Sequence, residues 1–239
     1  MKSIRIALAL LPALLLMSNV SAPHIGNKLP AKGLDHSLYV NHPAEDYYAE
    51  WNLTAAGLSE AAFDDALKGY NYLKEKNRLN NTYVMTIVDY SKPSSQKRLY
   101  VLDMNDGKIL FNTLVAHGRN SGLEYATNFS NAEASHKTSL GFFITMNTYT
   151  GGNGYSLKLQ GCEKGINDHA LERAIVVHGA DYATENFLHN NGFLGRSHGC
   201  PAVPEAVSKK IIDVIKNGSC MFLYHPTKKY TAQSKILNS

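Results

Sequence analysis

The chain reads as a mainly β domain with a few flanking helices. Three observations carry that reading: apolar runs of strand length recur from position 83 onward, Asn105-Asp106-Gly107 is a strong hairpin signal between two of them, and the two stretches of helical spacing lie towards the ends of the strand-rich part. No internal repeat or long linker interrupts it.

Taken in order, Lys2 and Arg5 precede an uncharged apolar stretch from Ile6 to Met17, and then the small residues Ser18, Val20, Ser21 and Ala22. A basic start, an apolar part short for a bilayer and a small-residue site predict a secretory signal peptide over 1–22, with Pro23 leaving the exact bond open. Residues 23–80 follow as an N-terminal extension with one helix. Ser59 is its cap, and Leu58, Ala62, Phe63, Ala66, Leu67, Tyr70 and Leu73 form an apolar stripe running to about Lys76. Strands are predicted at Tyr83 to Tyr90, Arg98 to Met104, Lys108 to Val115, Phe142 to Tyr149, Tyr155 to Leu159, Ala174 to Val177 and Met221 to Tyr224. Between them, Gly118 to Ser135 and Thr150 to Gly154 are irregular, and such loops can line a substrate groove, with Tyr125, Tyr149 and Tyr155 as contact candidates. A second helix covers Ala206 to Lys216, and 227–239 is left as a C-terminal tail.

Charge narrows the partners. Without Lys2 and Arg5, 22 basic residues face 20 acidic ones, too even a balance for counterion release to drive nucleic-acid binding. Three cysteines remain after the leader, so an oxidising compartment leaves at least one thiol free or intermolecular; a Cys162–Cys220 bridge stays open.

The chemistry concentrates in two segments. Ala174-Ile175-Val176-Val177 ends in His178-Gly179, and downstream lies Arg196-Ser197-His198-Gly199-Cys200. A thiol becomes a strong nucleophile when an imidazole takes or balances its proton, and glycine lets backbone approach a substrate closely. The plainer reading, a buried apolar cysteine and a hydrogen-bonded histidine, stands beside it. His178, His189, His198 and Cys200 could also be zinc ligands, but the paired spacings of zinc sites are missing, so neither metal nor other cofactor is expected.

These residues resemble the signature of the murein L,D-transpeptidase catalytic domain (YkuD-type): a His-Gly pair, a loop, then Ser197-His198-Gly199-Cys200. His178 precedes Cys200 by 22 residues, slightly more than in the commonest members, and His136-Lys137-Thr138-Ser139-Leu140-Gly141-Phe142-Phe143-Ile144 is similar to the family's upstream segment. The resemblance covers roughly Thr82 to Tyr224 and implies an L,D-transpeptidase-like β-sandwich or barrel as the catalytic domain over 81–226. It implies Cys200 as nucleophile, His178 as its acid/base partner, the Gly179 backbone as the group orienting the imidazole, and Ser197, His198 and Gly199 as pocket-shaping residues. Many members carry an arginine two residues after the cysteine, where this chain has Ala202, so the positive charge that anchors a donor carboxylate falls to Arg196, Arg173 or Lys137, with Arg196 ranked first.

The implied activity is acyl transfer on peptidoglycan stem peptides through a Cys200 thioester, with release of D-alanine. Hydrolysis of the same thioester, as a carboxypeptidase or endopeptidase, and a non-catalytic wall-binding module are the alternatives. Export would place the protein in the periplasm or outside the cell, with no transmembrane span after signal cleavage. A low-pKa Cys200, reactive near neutral pH, would favour the enzyme over the binding module.

Overall fold

The computed structural model describes residues 44–239, so the signal-peptide reading and much of the predicted extension lie outside the described residues. The fold is mainly β. Eight strands, β1 (Val84–Asp89), β2 (Leu99–Asp103), β3 (Lys108–Thr113), β4 (Gly141–Gly151), β5 (Gly154–Gly161), β6 (Val176–Ala180), β7 (Ala202–Pro204) and β8 (Cys220–Tyr224), form one sheet in the order β3-β2-β1-β8-β4-β5-β6-β7. The pairs β1–β8 and β6–β7 are parallel and the others antiparallel. The two ends of this sheet meet where Ala116, just beyond β3, donates its N–H to the Ala202 carbonyl of β7 at 2.8 Å, which nearly closes a barrel.

The hairpin signal folds for the reason that predicted it: the Asp103 carboxylate accepts the amides of Asn105 and Asp106 at 2.9 and 3.1 Å, and Gly107 takes φ 65°. The strand β7 was not predicted. Its three residues, Ala202 to Pro204, are too few to carry a periodic signal, and Pro204 is tolerated because it is the last residue of a strand that stands last in the sheet order.

Five α-helices flank the sheet: α1 (Ala44–Glu50), α2 (Glu60–Glu75), α3 (Glu185–Asn191), α4 (Glu205–Ile215) and α5 (Lys228–Gln233). Ser59 caps α2 by accepting the Ala62 N–H at 3.3 Å, and the predicted stripe is buried against β1 and β8. The second predicted helix is α4, which buries Ile211, Ile212 and Ile215 and packs beside β6. The segment left as a tail folds too: Tyr230 and Ser234 donate to the buried carboxylate of Glu163, which also accepts the Phe142 N–H at 2.9 Å. Burial raises the pKa of Glu163, and those three donors oppose the rise.

Close packing makes one glycine specific. A β-carbon on Gly69 in α2 would lie 2.0 Å from Cζ of Phe142, whose ring is stacked on Phe222 at 4.1 Å with both rings fully buried. Gly69→Ala should therefore destabilise by about 1–3 kcal/mol from overpacking, although alanine is worth roughly 1 kcal/mol more than glycine in an exposed helix. Thermal melting followed by circular dichroism checks the sign; a rise in Tm would contradict it.

The cysteine pairing left open by the sequence is settled: Cys162, Cys200 and Cys220 are all free. The strand β4 lies between the first and last, with Cys162 bonded to Phe142 on one side and Cys220 paired with Ile144 on the other. Two strand spacings, roughly 9–10 Å, exceed what a disulfide spans.

Candidate active site

β6 delivers His178 to the site, in register with Ala202 on parallel β7. Cys200 lies two residues before β7, and its Sγ rests against β6 at the Val176 N–H, two residues before His178. The His178 Nδ1 sits 2.8 Å from the Gly179 carbonyl oxygen. With a proton on Nδ1 donated to that carbonyl, Nε2 keeps a free lone pair. The ring is buried, and burial pushes its pKa down from 6.5 against the opposing pull of the carbonyl, so it is neutral at neutral pH. Gly179 is glycine because α4 packs against it: a β-carbon there would lie 2.7 Å from Ser208 Oγ and 3.2 Å from Glu205 Cα.

The loop carrying the thiol is stitched tightly. Ser197 Oγ donates to the Cys200 carbonyl at 2.7 Å and accepts the Gly199 N–H at 3.0 Å. Thr138 Oγ1 accepts the Gly118 N–H at 3.0 Å and donates to the Gly199 carbonyl at 3.3 Å. Gly199 has φ 124°, and a β-carbon would meet the Lys137 carbonyl oxygen at 2.8 Å, so the turn requires glycine twice over.

Cys200 itself is 8% exposed. Its Sγ accepts the Val176 N–H at 3.5 Å and donates to the Ala174 carbonyl at 3.7 Å, and no hydrogen bond joins it to the His178 ring. Burial raises its pKa above 9.0, with the Val176 N–H and Arg173 opposing. This is the opposite of the low-pKa thiol that would favour the enzyme over the binding module. Helix α4, the next along the chain, begins only at Glu205, after the whole of β7, too far for its dipole to favour thiolate, since a helix dipole fades within one turn. The resting pair is thus neutral thiol and neutral imidazole.

The remaining predicted residues fall into two groups. Ser197 and Gly199 shape the loop as described, while His198 is exposed and stacks face to face on His136, with centroids 4.3 Å apart. Arg196 uses Nη1 on the carbonyls of Arg119 and Gly122, at 3.3 and 3.2 Å, and so ties down a neighbouring loop. The cation whose field reaches the thiol is Arg173, which holds the carbonyls of Ser130 and Lys137 at 2.8 and 2.7 Å. Tyr155 is a correction: Ser156 is the residue paired with His178, so Tyr155 faces the other side of the sheet, and its Oη donates to Asp213 of α4 at 2.8 Å. Tyr125 and Tyr149 are surface residues, 50% and 36% exposed.

Two features carried no sequence signal. Arg98, fully buried, donates to the Val115 and Lys92 carbonyls and lies 2.8 Å from His117 Nδ1, and His117 in turn accepts the Ser197 N–H on its carbonyl. Tyr182 packs against Gly195, where a β-carbon would come within 2.4 Å of its Cβ, and burial lifts its phenol to about 12. Among the described residues no three His, Cys, Asp or Glu side chains gather as metal ligands would, and no helix is long and apolar enough to cross a membrane.

A mainly β, nearly closed eight-stranded sheet with few helices is the class of fold. Residues 54–224 match the L,D-transpeptidase catalytic domain, and the chain belongs to that family. Among solved structures it is similar to the helical cell shape determining protein Pgp2 of Campylobacter jejuni, at 15% identity and TM-score 0.42, covering 71% of this chain and 59% of that one. It is also similar to an L,D-transpeptidase from Mycobacterium smegmatis, at 14% identity and TM-score 0.37, covering 60% of this chain and 59% of the other. For a mutant L,D-transpeptidase from Enterococcus faecium the values are 17% and 0.36, with 59% and 49% covered. The chain spans about half to three fifths of the length of these structures. No curated protein sequence matches it significantly.

Proposed function

We propose that the protein is an exported cysteine acyltransferase that acts on peptidoglycan stem peptides by L,D-transpeptidation. The observation that carries this reading is the orientation of His178 by its own following carbonyl, on the strand whose Val176 N–H meets Cys200 Sγ. As Sγ attacks the amide carbonyl between the L-centre of the diamino acid and D-alanine, the thiol proton passes to His178 Nε2. The C–N bond breaks, the same proton goes to the departing amine, and a thioester remains. An amine from a second stem then attacks the thioester, gives its proton to His178, and Cys200 leaves as a thiol. Water in place of the amine gives the hydrolase outcome with every residue unchanged.

A neutral resting pair suits this sequence, because proton and sulfur move together and no standing thiolate is exposed to oxidants. In the resting arrangement Sγ is held by the Val176 and Ala174 backbone groups, contacts that it gives up to react. Export rests on the leader composition of 1–22 and places the protein where its substrate is. Incubation with murein tetrapeptide followed by intact-protein mass spectrometry should show an adduct on Cys200 with loss of D-alanine, then a cross-linked dimer. Absence of any adduct, with the protein folded, would favour the wall-binding alternative.

A further inference from the structure

Beside the Cys200 loop lies a cationic cluster that the acyl-transfer steps leave unused. Arg119 is fixed at its backbone from both sides: its N–H donates to the Ser197 carbonyl at 2.8 Å, and its own carbonyl accepts Arg196 at 3.3 Å. Its exposed guanidinium, by contrast, makes no hydrogen bond or ion pair among the described residues. The ion pairs described are Lys108–Asp106, Lys209–Asp213 and Lys216–Asp213, all elsewhere, and Glu124, the acid nearest in sequence, is bonded to Ser95.

The next residue, Asn120, donates its N–H to the His136 carbonyl at 3.2 Å, and His136 stacks on His198, two residues from the nucleophile. His136 holds φ 52°, and its Nδ1 is buried with no hydrogen-bond partner, both unfavourable features. Burial first, and then the Arg119 charge and the His198 ring, hold the His136 pKa below 6.5, which places the Arg119 charge within reach of this ring. Of the candidate arginines, Arg196 is tied to loop carbonyls, and Arg173 is bonded throughout to the 130–139 loop.

We infer that Arg119, with the stacked His136 and His198 beside it, forms the subsite that binds the carboxylate of the donor peptide, the one carried by the departing D-alanine. This rests on the acyl-transfer reading of Cys200 and names the anchor that reading lacks. A guanidinium fixed at its backbone and free at its fork grips a carboxylate through two parallel hydrogen bonds, and each imidazole can add one more. The subsite selects donors that end in a free acid.

The test uses the inert Cys200→Ala protein, so that binding is read apart from chemistry. Calorimetric titration with a murein tetrapeptide and with its C-terminal amide should show the acid bound roughly 10–100-fold tighter, the worth of a charged hydrogen-bond pair. Adding Arg119→Ala should bring that ratio to about 1, and Arg119→Lys should restore part of it. Equal binding of acid and amide, or a preference that survives Arg119→Ala, overturns the inference. The two proposals fail separately: an acid preference lost with Arg119 in a protein that never forms a thioester retains the subsite and removes the transferase, and a thioester formed without any acid preference does the reverse.

Discussion

His178→Ala slows acylation of Cys200 by murein tetrapeptide roughly 10²–10⁴-fold at neutral pH, the usual contribution of a positioned general base. The pH profile separates this from a merely structural effect. In the wild type the free imidazole titrates below 6.5, so kcat/KM is level through neutrality and falls only on the acid side, as Nε2 takes up a proton. In the variant only pre-formed thiolate reacts, and the Cys200 thiol titrates above 9.0. Its rate therefore climbs about tenfold per pH unit through 7 and 8 without a plateau. Stopped-flow or mass-spectrometric acylation rates from pH 5 to 10 distinguish the two curves. A variant that keeps the wild-type rate at pH 7, or one with the same level profile, would remove His178 from the chemistry.

The largest stability effect is expected at Arg98. Its guanidinium spends Nε and Nη2 on the Val115 carbonyl, Nη1 on the Lys92 carbonyl, sits 2.8 Å from His117 Nδ1, and lies 4.9 Å over the Tyr90 ring, with no exposure. Burial brings even this strong base down to about 10. Arg98→Ala leaves two buried carbonyls unpaired and opens a cavity, a loss of about 3–5 kcal/mol. That corresponds to a Tm lower by roughly 6–20 °C. Activity falls too, because His117 holds both Ser197 and, at 3.3 Å, the Gly122 carbonyl of the loop that carries Arg119.

The same cluster sets an acid limit. His117 is pushed down to about 3 by burial and by Arg98, so between 6.5 and that value the unfolded chain binds a proton that the folded one does not. Stability contributed by the neutral ring is full above 6.5 and is lost as the pH falls towards 3. Chemical denaturation of wild type and Arg98→Ala at pH 7 and pH 4.5 measures both effects. A variant melting within about 2 °C of wild type would show that the buried guanidinium contributes nothing net.

Much of this molecule is legible in one dimension. The cap at Ser59, the stripe through Leu73 and the Asn105-Asp106-Gly107 turn are local signals, decided by hydrogen bonds and periodicity within a few residues, and each forms where it was read. His178-Gly179 and Ser197-His198-Gly199-Cys200 stand out because glycines at those places have steric reasons that leave a trace in sequence. Tyr155 misled because its role depends on which face of β5 it occupies, and that follows from the register with β6. Arg196 misled similarly, since a loop arginine beside a thiol can turn to substrate or to carbonyls, and only the position of the 118–122 loop decides.

The sequence by itself determined seven of the eight strands, the two longer helices and the His178-Gly179 and Ser197-His198-Gly199-Cys200 segments, because these depend on neighbours in the chain and on residue chemistry. Only the tertiary structure decided that β7 lies beside β6, that Cys200 rests as a protonated thiol on backbone groups, that Arg98 is buried and that Arg119 is left free. The physical reason is common to all four. Burial, field and pairing are properties of what surrounds a group, and those surroundings come from segments tens of residues away.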